Sequence, residues 1–159
     1  MKGQWTNIYS GDLALRSWWV DSVNDCKYVS IVLPEVFGIN NWIRSFSEKL
    51  AQQNVPVLAL PLYGRTAPNL DLEYSEEDLK LGRHHKNLTT LKNIIDDVSA
   101  AINWVKEKYP SKKISIIGFC FGGHAAFIAS SLKGIESSFC FYGAGTVSYT
   151  HLRAHETLN

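Results

Sequence analysis

A cysteine between closely spaced glycines is the residue of this chain best suited to chemistry. Cys120 stands in the segment Gly118-Phe119-Cys120-Phe121-Gly122-Gly123, after an apolar run rich in β-branched residues and before a run of small residues typical of a helix. A strand, a glycine-flanked residue and a helix in this order predict a nucleophile elbow, a sharp turn that presents its residue at the edge of a sheet. A cysteine there is a strong nucleophile that still requires a base to take its proton.

The predicted helix directly after Cys120 favours the same chemistry. The N–H groups and the dipole of a helix start stabilise a thiolate and can bind an oxyanion, with the N–H of Phe121 as the first donor. The alternative is that Cys120 is a small buried residue in a glycine-rich turn, as free cysteines often are. Cys26 and Cys140 have no such surroundings, and we expect both to be core or loop residues.

The elements that must position Cys120 follow from the hydrophobic pattern. An antiparallel hairpin, residues 5–10 and 13–20, is predicted to open the chain. Continuous apolar runs typical of strands buried in a parallel sheet follow at residues 28–33, 55–60, 113–117 and 138–142. Apolar residues at helical spacing predict helices near residues 42–50, 88–105 and 122–129. This alternation predicts an α/β fold, a mostly parallel sheet with helices on both faces.

Residues 61–85 show neither the apolar run of a buried strand nor the apolar spacing of a helix. They contain Pro61, Gly64, Pro68 and Gly82 with an acidic run at residues 76–78, so we expect a long loop with at most one short helix. Loops of this length are frequently functional. His84 and His85 are expected on its surface.

Composition and charge exclude several classes of protein. Lys plus Arg number 16 and Asp plus Glu 15, with no basic stripe, so nucleic acid is not expected as a partner. Three cysteines without a C-x-x-C spacing argue against a disulfide framework and against a zinc site, and no metal is expected. The sequence shows no secretory signal and no apolar run of membrane-spanning length, which predicts no membrane contact and a cytoplasmic location.

Four segments in order resemble the dienelactone hydrolase (carboxymethylenebutenolidase) family of the α/β-hydrolase superfamily. They are Leu33-Pro34-Glu35-Val36-Phe37-Gly38-Ile39-Asn40, Pro61-Leu62-Tyr63-Gly64-Arg65-Thr66-Ala67-Pro68, Gly118-Phe119-Cys120-Phe121-Gly122-Gly123 and Phe141-Tyr142-Gly143. The resemblance covers roughly residues 28–145. It implies an α/β-hydrolase fold and a Cys-His-Asp triad that opens ester or enol-lactone bonds through an acyl-enzyme, without a metal or organic cofactor. It also implies a small-molecule ester or lactone as the binding partner, and a monomer or small homo-oligomer.

The resemblance assigns roles to three further residues. Glu35 matches a glutamate implicated in activating the cysteine, and Val36 matches the position whose backbone N–H completes the oxyanion hole with Phe121. From the residues alone, Glu35 follows a parallel strand next to the elbow and could accept the thiol proton, or it could be a loop residue paired with an arginine. Arg65 either meets the carboxylate of an acidic lactone or anchors its loop. The arginine and tyrosine with which the family holds that carboxylate have no clear match between Tyr74 and His85.

The remaining triad residues are not found after Cys120. In α/β-hydrolases the acid and then the histidine follow the nucleophile, but no Asp occurs after Cys120. Of the later histidines, His124 is an unsuitable base because residues just after an elbow point away from the nucleophile. We therefore expect a C-terminally incomplete hydrolase that is poorly stable, has an open sheet edge and is nearly inactive.

The last residues break from the pattern of the rest. Residues 147–159, which include His151 and His155, resemble translated adapter sequence, and we expect a non-native tail after a partial hydrolase domain of residues 1–146. The alternative to a hydrolase is a non-catalytic α/β scaffold or binding domain that keeps the elbow for packing.

Overall fold

The structure, a computed structural model, describes residues 2–142 and the backbone of residues 156–158. Within these residues the chain forms seven strands and four helices. The strands are β1 (Gln4–Ser10), β2 (Leu13–Val20), β3 (Tyr28–Leu33), β4 (Val57–Ala59), β5 (Lys113–Phe119), β6 (Ile135–Phe141) and β7 (Glu156–Leu158). The helices are α1 (Asn41–Gln52), α2 (Glu76–Leu88), α3 (Leu91–Lys108) and α4 (Phe121–Ala129).

All seven strands join one mixed sheet in the order β1-β2-β4-β3-β5-β6-β7. The hairpin β1-β2 is antiparallel and β2 pairs antiparallel with β4, whereas the strands from β4 to β7 are parallel. The register places Leu33, the last residue of β3, opposite Gly118 of β5. Because β3, β4 and β5 run in the same direction, the loops that follow them meet at one edge of the sheet. The predicted α/β-hydrolase sheet is confirmed.

Helices cover the sheet on both faces, as predicted. On one face α1 packs through Ile43 against Val32 of β3 and Val57 of β4. On the other face α3 and α4 bury a larger core with side chains such as Ile31 and Ile116. The continuous apolar runs of the central strands are explained by this arrangement, because their alternate residues are buried in different layers.

The segment between β4 and α3 differs from the predicted loop. Residues 76–88 form α2, whose acidic first turn complements the helix dipole and whose N-cap is Ser75. Leu88 is the last residue of α2, not the first apolar residue of α3. The two helices are separate because Thr90 caps α3 in a capping box with Asn93.

The chain terminus lies largely outside the described residues. Of the predicted tail 147–159, only residues 156–158 are described, and they form β7, parallel to β6. Within the described residues, β6 thus has a partner where an open edge was expected. The division into residues 1–146 and a non-native tail stays a prediction. No helix in the described part of the chain is long and apolar enough to cross a membrane.

Candidate active site

Cys120 occupies the turn between β5 and α4. Its backbone has φ 54° and ψ −116°, a positive φ that residues with a side chain rarely adopt. The turn is held by a hydrogen bond from the Cys120 N–H to the carbonyl oxygen of Phe141, at 2.8 Å. The side chain of Cys120 is partly exposed, unlike those of Cys26 and Cys140. The structure thus has the strand-turn-helix geometry of a nucleophile elbow.

Two glycines make this turn sterically possible. A Cβ on Gly118 would collide with the carbonyl group of Gly122. A Cβ on Gly122 would collide in turn with the carbonyl oxygens of Leu33 and Pro34 at the end of β3. The helix therefore begins directly against the neighbouring strand, and the loop that follows β3 borders the elbow.

Backbone N–H groups border the elbow from two sides. Phe121 is the first residue of α4, where N–H groups have no acceptor within the helix and no side chain caps them. On the other side, the N–H of Val36 donates no backbone hydrogen bond within residues 2–142. The first turn of α4 and the loop that carries Val36 lie at the same edge of the sheet, where donors can stabilise developing negative charge.

Glu35 is held by a tyrosine that the sequence analysis did not assign. The Tyr74 hydroxyl donates a hydrogen bond to Glu35 Oε1 at 2.8 Å, and the Asn40 side-chain amide donates to the Tyr74 oxygen at 3.3 Å. Desolvation of this hydroxyl raises the pKa of Tyr74 to about 12, and the negative Glu35 adds to the rise. Tyr74 is therefore a neutral donor at physiological pH, and it fixes the direction of the Glu35 carboxylate.

The loop carrying Glu35 and Val36 is fixed by close backbone contacts. A Cβ on Gly82 of α2 would collide with the carbonyl oxygen of Val36, so α2 lies directly against this loop. Gly38, at φ +81°, approaches the carbonyl group of Leu70 just as closely. Helix α2, which lies largely in the segment predicted as a long loop with at most one short helix, thus supports the proposed oxyanion donor.

Arg65 binds a buried carboxylate of α3. Its two terminal nitrogens contact the two oxygens of Asp97 at 2.8 and 3.0 Å. The Asp97 side chain is 1% exposed, and the hydrogen bonds that Arg65 donates to Asp97 raise the pKa of Arg65. This contact supports the loop-anchor interpretation of Arg65, because both arms of the guanidinium fork are occupied. Its role in substrate binding stays a prediction.

Comparison with known proteins decides the family. The model of the dienelactone hydrolase family matches residues 18–158, which include the end of β2 and every described element after it. The chain belongs to this family. A protein of Synechocystis sp., provisionally assigned as a carboxymethylenebutenolidase, is 34% identical over 119 residues, which are 74% of this chain and 48% of that protein. The carboxymethylenebutenolidase of Pseudomonas putida is 27% identical over 124 residues, 74% of this chain and 50% of its own length. The chain thus spans about half the length of these curated relatives.

Solved structures show the same fold. A Klebsiella pneumoniae protein provisionally assigned as a dienelactone hydrolase superposes with a TM-score of 0.75 at 22% identity, covering 89% of this chain and 59% of the other. Est1E of Butyrivibrio proteoclasticus superposes with a TM-score of 0.68 at 14% identity, covering 92% and 53% of the two chains. The architecture of this dienelactone hydrolase family member is therefore that of α/β-hydrolases.

The histidines near the elbow occupy two helices of the family fold. His84 and His85 lie on α2 rather than in a loop, with His84 exposed and His85 hydrogen-bonded through Nδ1 to Thr66 Oγ1 at 2.9 Å. His124 lies on α4, and burial lowers its pKa below the ordinary value of 6.5. His151 and His155 lie outside the described residues.

The other two cysteines of this family member are core residues, as predicted. Cys26 is 6% exposed and Cys140 is fully buried. Burial raises the pKa of both thiols, so they are less reactive than exposed thiols. Within the described residues, no group of three or more His, Cys, Asp or Glu side chains is arranged to hold a metal ion.

Proposed function

We propose that this protein is a hydrolase of carboxylic esters or enol-lactones in which Cys120 attacks the carbonyl carbon. Membership of the dienelactone hydrolase family supports the reaction class. The observation that carries the choice of nucleophile is the strained backbone of Cys120, held between two glycines that admit no side chain. A residue kept at positive φ at a sheet edge is expected to have a functional reason.

The proposed reaction proceeds through a thioester. The Cys120 thiolate forms a C–S bond with the carbonyl carbon, and the carbonyl oxygen takes up the negative charge. The N–H groups of Phe121 and Val36 are proposed to bind this oxyanion. As the carbonyl re-forms, the C–O bond breaks and the leaving oxygen takes a proton. Water then hydrolyses the thioester, which yields the carboxylic acid and regenerates the thiol.

Glu35 is proposed as the first acceptor of the thiol proton. It follows β3, whose end contacts Gly122 of the elbow, and its Oε1 is fixed by Tyr74. The other carboxylate oxygen accepts no hydrogen bond from the described residues and is proposed to face the thiol. A carboxylate in this position can act as a general base for ionisation of Cys120.

The chain alone is proposed to be a poor catalyst of complete turnover. No Asp follows Cys120 in the sequence, so an Asp-oriented histidine of the usual chain order is not available to activate the hydrolytic water. Attack by Cys120 needs fewer groups than thioester hydrolysis. We therefore expect acylation to be faster than deacylation, so that the acylated protein accumulates.

Peptide mapping after incubation with an activated aryl ester tests this proposal. Mass spectrometry is expected to find the acyl group as a thioester on Cys120, with Cys26 and Cys140 unmodified in the folded protein. A Cys120→Ala variant is the control and should release no stoichiometric phenolate. Equal acylation of all three cysteines, or none at Cys120, would favour the alternative of a non-catalytic scaffold.

A further inference from the structure

Tyr63 carries a buried hydroxyl that the proposed mechanism does not use. The residue follows β4 and is 4% exposed. Within the described residues its hydroxyl has no hydrogen-bond partner. A buried hydroxyl without a partner is costly to keep, so such a group is expected to have a function or a transient partner.

The position of Tyr63 brings its ring against the residue that follows Cys120 in the elbow. Its ring stacks on that of Phe121, the residue after Cys120, with ring centroids 6.0 Å apart and an angle of 19° between the planes. Burial raises the pKa of Tyr63 above its ordinary value, and Cys120 is close enough for its charge to raise it further. Tyr63 is therefore protonated, and able to donate, at physiological pH.

We propose that the Tyr63 hydroxyl donates a hydrogen bond to the Cys120 thiolate and so stabilises the nucleophile before it attacks. Tyr63 is a positioning residue in this account, because it leaves the proton transfer and the carbonyl to other groups. A thiolate is a far better acceptor than a thiol, so the hydroxyl gains its partner only on ionisation. The inference rests on the proposed function, since it assigns a role relative to Cys120 as nucleophile.

Other titratable groups border the same region, and the test must separate them from Tyr63. Glu35 approaches from the loop after β3, and His124 lies one helical turn into α4. From α2, Lys86 lies 5.9 Å from the Phe121 ring centroid and the His85 ring lies 5.9 Å from that of Tyr63. None of them changes in a Tyr63→Phe variant, which retains the ring stacked on Phe121 and removes only the hydroxyl.

The rate of Cys120 alkylation by iodoacetamide, followed by mass spectrometry across a range of pH, tests the proposal in this chain. Loss of the donor should move the pH profile of alkylation to higher pH in Tyr63→Phe. At neutral pH the variant should react about three- to tenfold more slowly, because less thiolate is present. At high pH, where both thiols are ionised, it should react at least as fast, because a less stabilised thiolate is more nucleophilic. The thiolate absorbance in the ultraviolet should shift in parallel.

A variant that is slower at neutral pH but equals or exceeds the parent at high pH is the result that a structural role would not produce. Tyr9→Phe, at a tyrosine that is 63% exposed on β1, is the control and should follow the parent profile. Superimposable profiles of the parent and Tyr63→Phe would overturn the inference and leave Cys120 as nucleophile. A change in the alkylation rate by the same factor at every pH would show that Tyr63 has only a packing role. If Cys120 in the parent reacts no faster than Cys26, the proposed function itself fails.

Discussion

The Tyr74 hydroxyl donates a hydrogen bond to Glu35 Oε1 at 2.8 Å, although the two residues are 39 positions apart in the sequence. This contact joins the loop after β3 to the segment before α2. It also ties the proposed base to a neutral donor, since the pKa of Tyr74 is raised to about 12. Glu35 is thus part of a small hydrogen-bond network at the edge of the sheet that carries Cys120, and not an isolated loop carboxylate.

Replacing Glu35 by glutamine should slow acylation of Cys120. The amide is similar in size but cannot accept the thiol proton, and general bases contribute about 10²- to 10⁴-fold to such steps. We expect a loss of at least about tenfold in the rate of phenolate release in the first turnover. Stopped-flow absorbance measures this rate. Glu107→Gln, on α3, is the matched control, and an equal loss in that variant would contradict the role of Glu35.

Tyr74→Phe should have a smaller effect in the same direction. The variant retains the Glu35 carboxyl group but removes the donor that fixes its direction, and such positioning bonds are worth about 1 kcal/mol, or roughly fivefold in rate. The same first-turnover assay checks it. In a Glu35→Gln background the tyrosine substitution should add little, because the two residues act as a unit. If the two substitutions instead lower the first-turnover rate by factors that multiply in the double variant, Tyr74 does not act through Glu35.

Alanine at Gly118 or Gly122 should destabilise the protein strongly. Each new methyl group would collide with a backbone carbonyl, which cannot move aside as a flexible side chain can. We expect a loss of about 3 kcal/mol in the free energy of unfolding, measured by urea denaturation. Gly11→Asn, at a hairpin turn with open space around the Cβ position, is the control and should cost little. Wild-type stability in Gly122→Ala would contradict the described elbow.

Replacing Arg65 by methionine should leave Asp97 buried without its partner. Loss of one member of a buried ion pair costs about 3–5 kcal/mol of stability. Because Arg65 is partly exposed, we expect the free energy of unfolding to fall by about 3 kcal/mol. Lys92→Met, in the exposed pair with Asp96, should change stability by no more than about 0.5 kcal/mol.

A second variant, Arg65→Lys, separates the two interpretations of Arg65. If Arg65 anchors its loop, Arg65→Lys should lose part of the stability, because lysine cannot form the two-pronged contact. If it binds substrate, stability should be unchanged, and acylation by a carboxylate-bearing ester should weaken more than acylation by a neutral one. Unfolding curves and paired ester assays distinguish these outcomes.

The buried His124 should make the protein sensitive to acid. Its folded pKa is lowered by burial below the ordinary value of 6.5, so the unfolded chain binds its proton more readily. The stability associated with the neutral form is complete above about pH 6.5 and is lost as the pH falls below that value. Thermal unfolding measured from neutral to mildly acidic pH should show that the stability of His124→Gln falls less steeply with pH than that of the parent. His84→Gln, at an exposed histidine, should not differ from the parent.

The sequence was sufficient for the elements whose periodicity is strong. The runs of β3 and β5 are buried on both faces, so their continuous apolar character identified them, and the glycines around Cys120 located the elbow. Helix α2 was missed because its apolar face is narrow and Gly82 stands in its centre. That glycine has a packing reason, a close approach to Val36, which no local pattern reveals.

Contacts between distant segments were beyond sequence reasoning. Tyr74 could not be paired with Glu35, nor Arg65 with Asp97, because spacing along the chain says nothing about which loop side chains meet. The buried hydroxyl of Tyr63 was likewise invisible, since a tyrosine after a strand is equally compatible with an exposed position. These three cases share one cause. The conformation of the loops after the strands determines which side chains meet and which are buried.

The most direct test of the central claim is the stoichiometry of the first turnover with an activated aryl ester. If Cys120 is the nucleophile, the folded chain should release about one equivalent of phenolate per chain and retain one acyl group as a thioester on Cys120. The Cys120→Ala variant should show neither. A burst that persists in Cys120→Ala, or phenolate release without a thioester on Cys120 in the parent, would contradict the account.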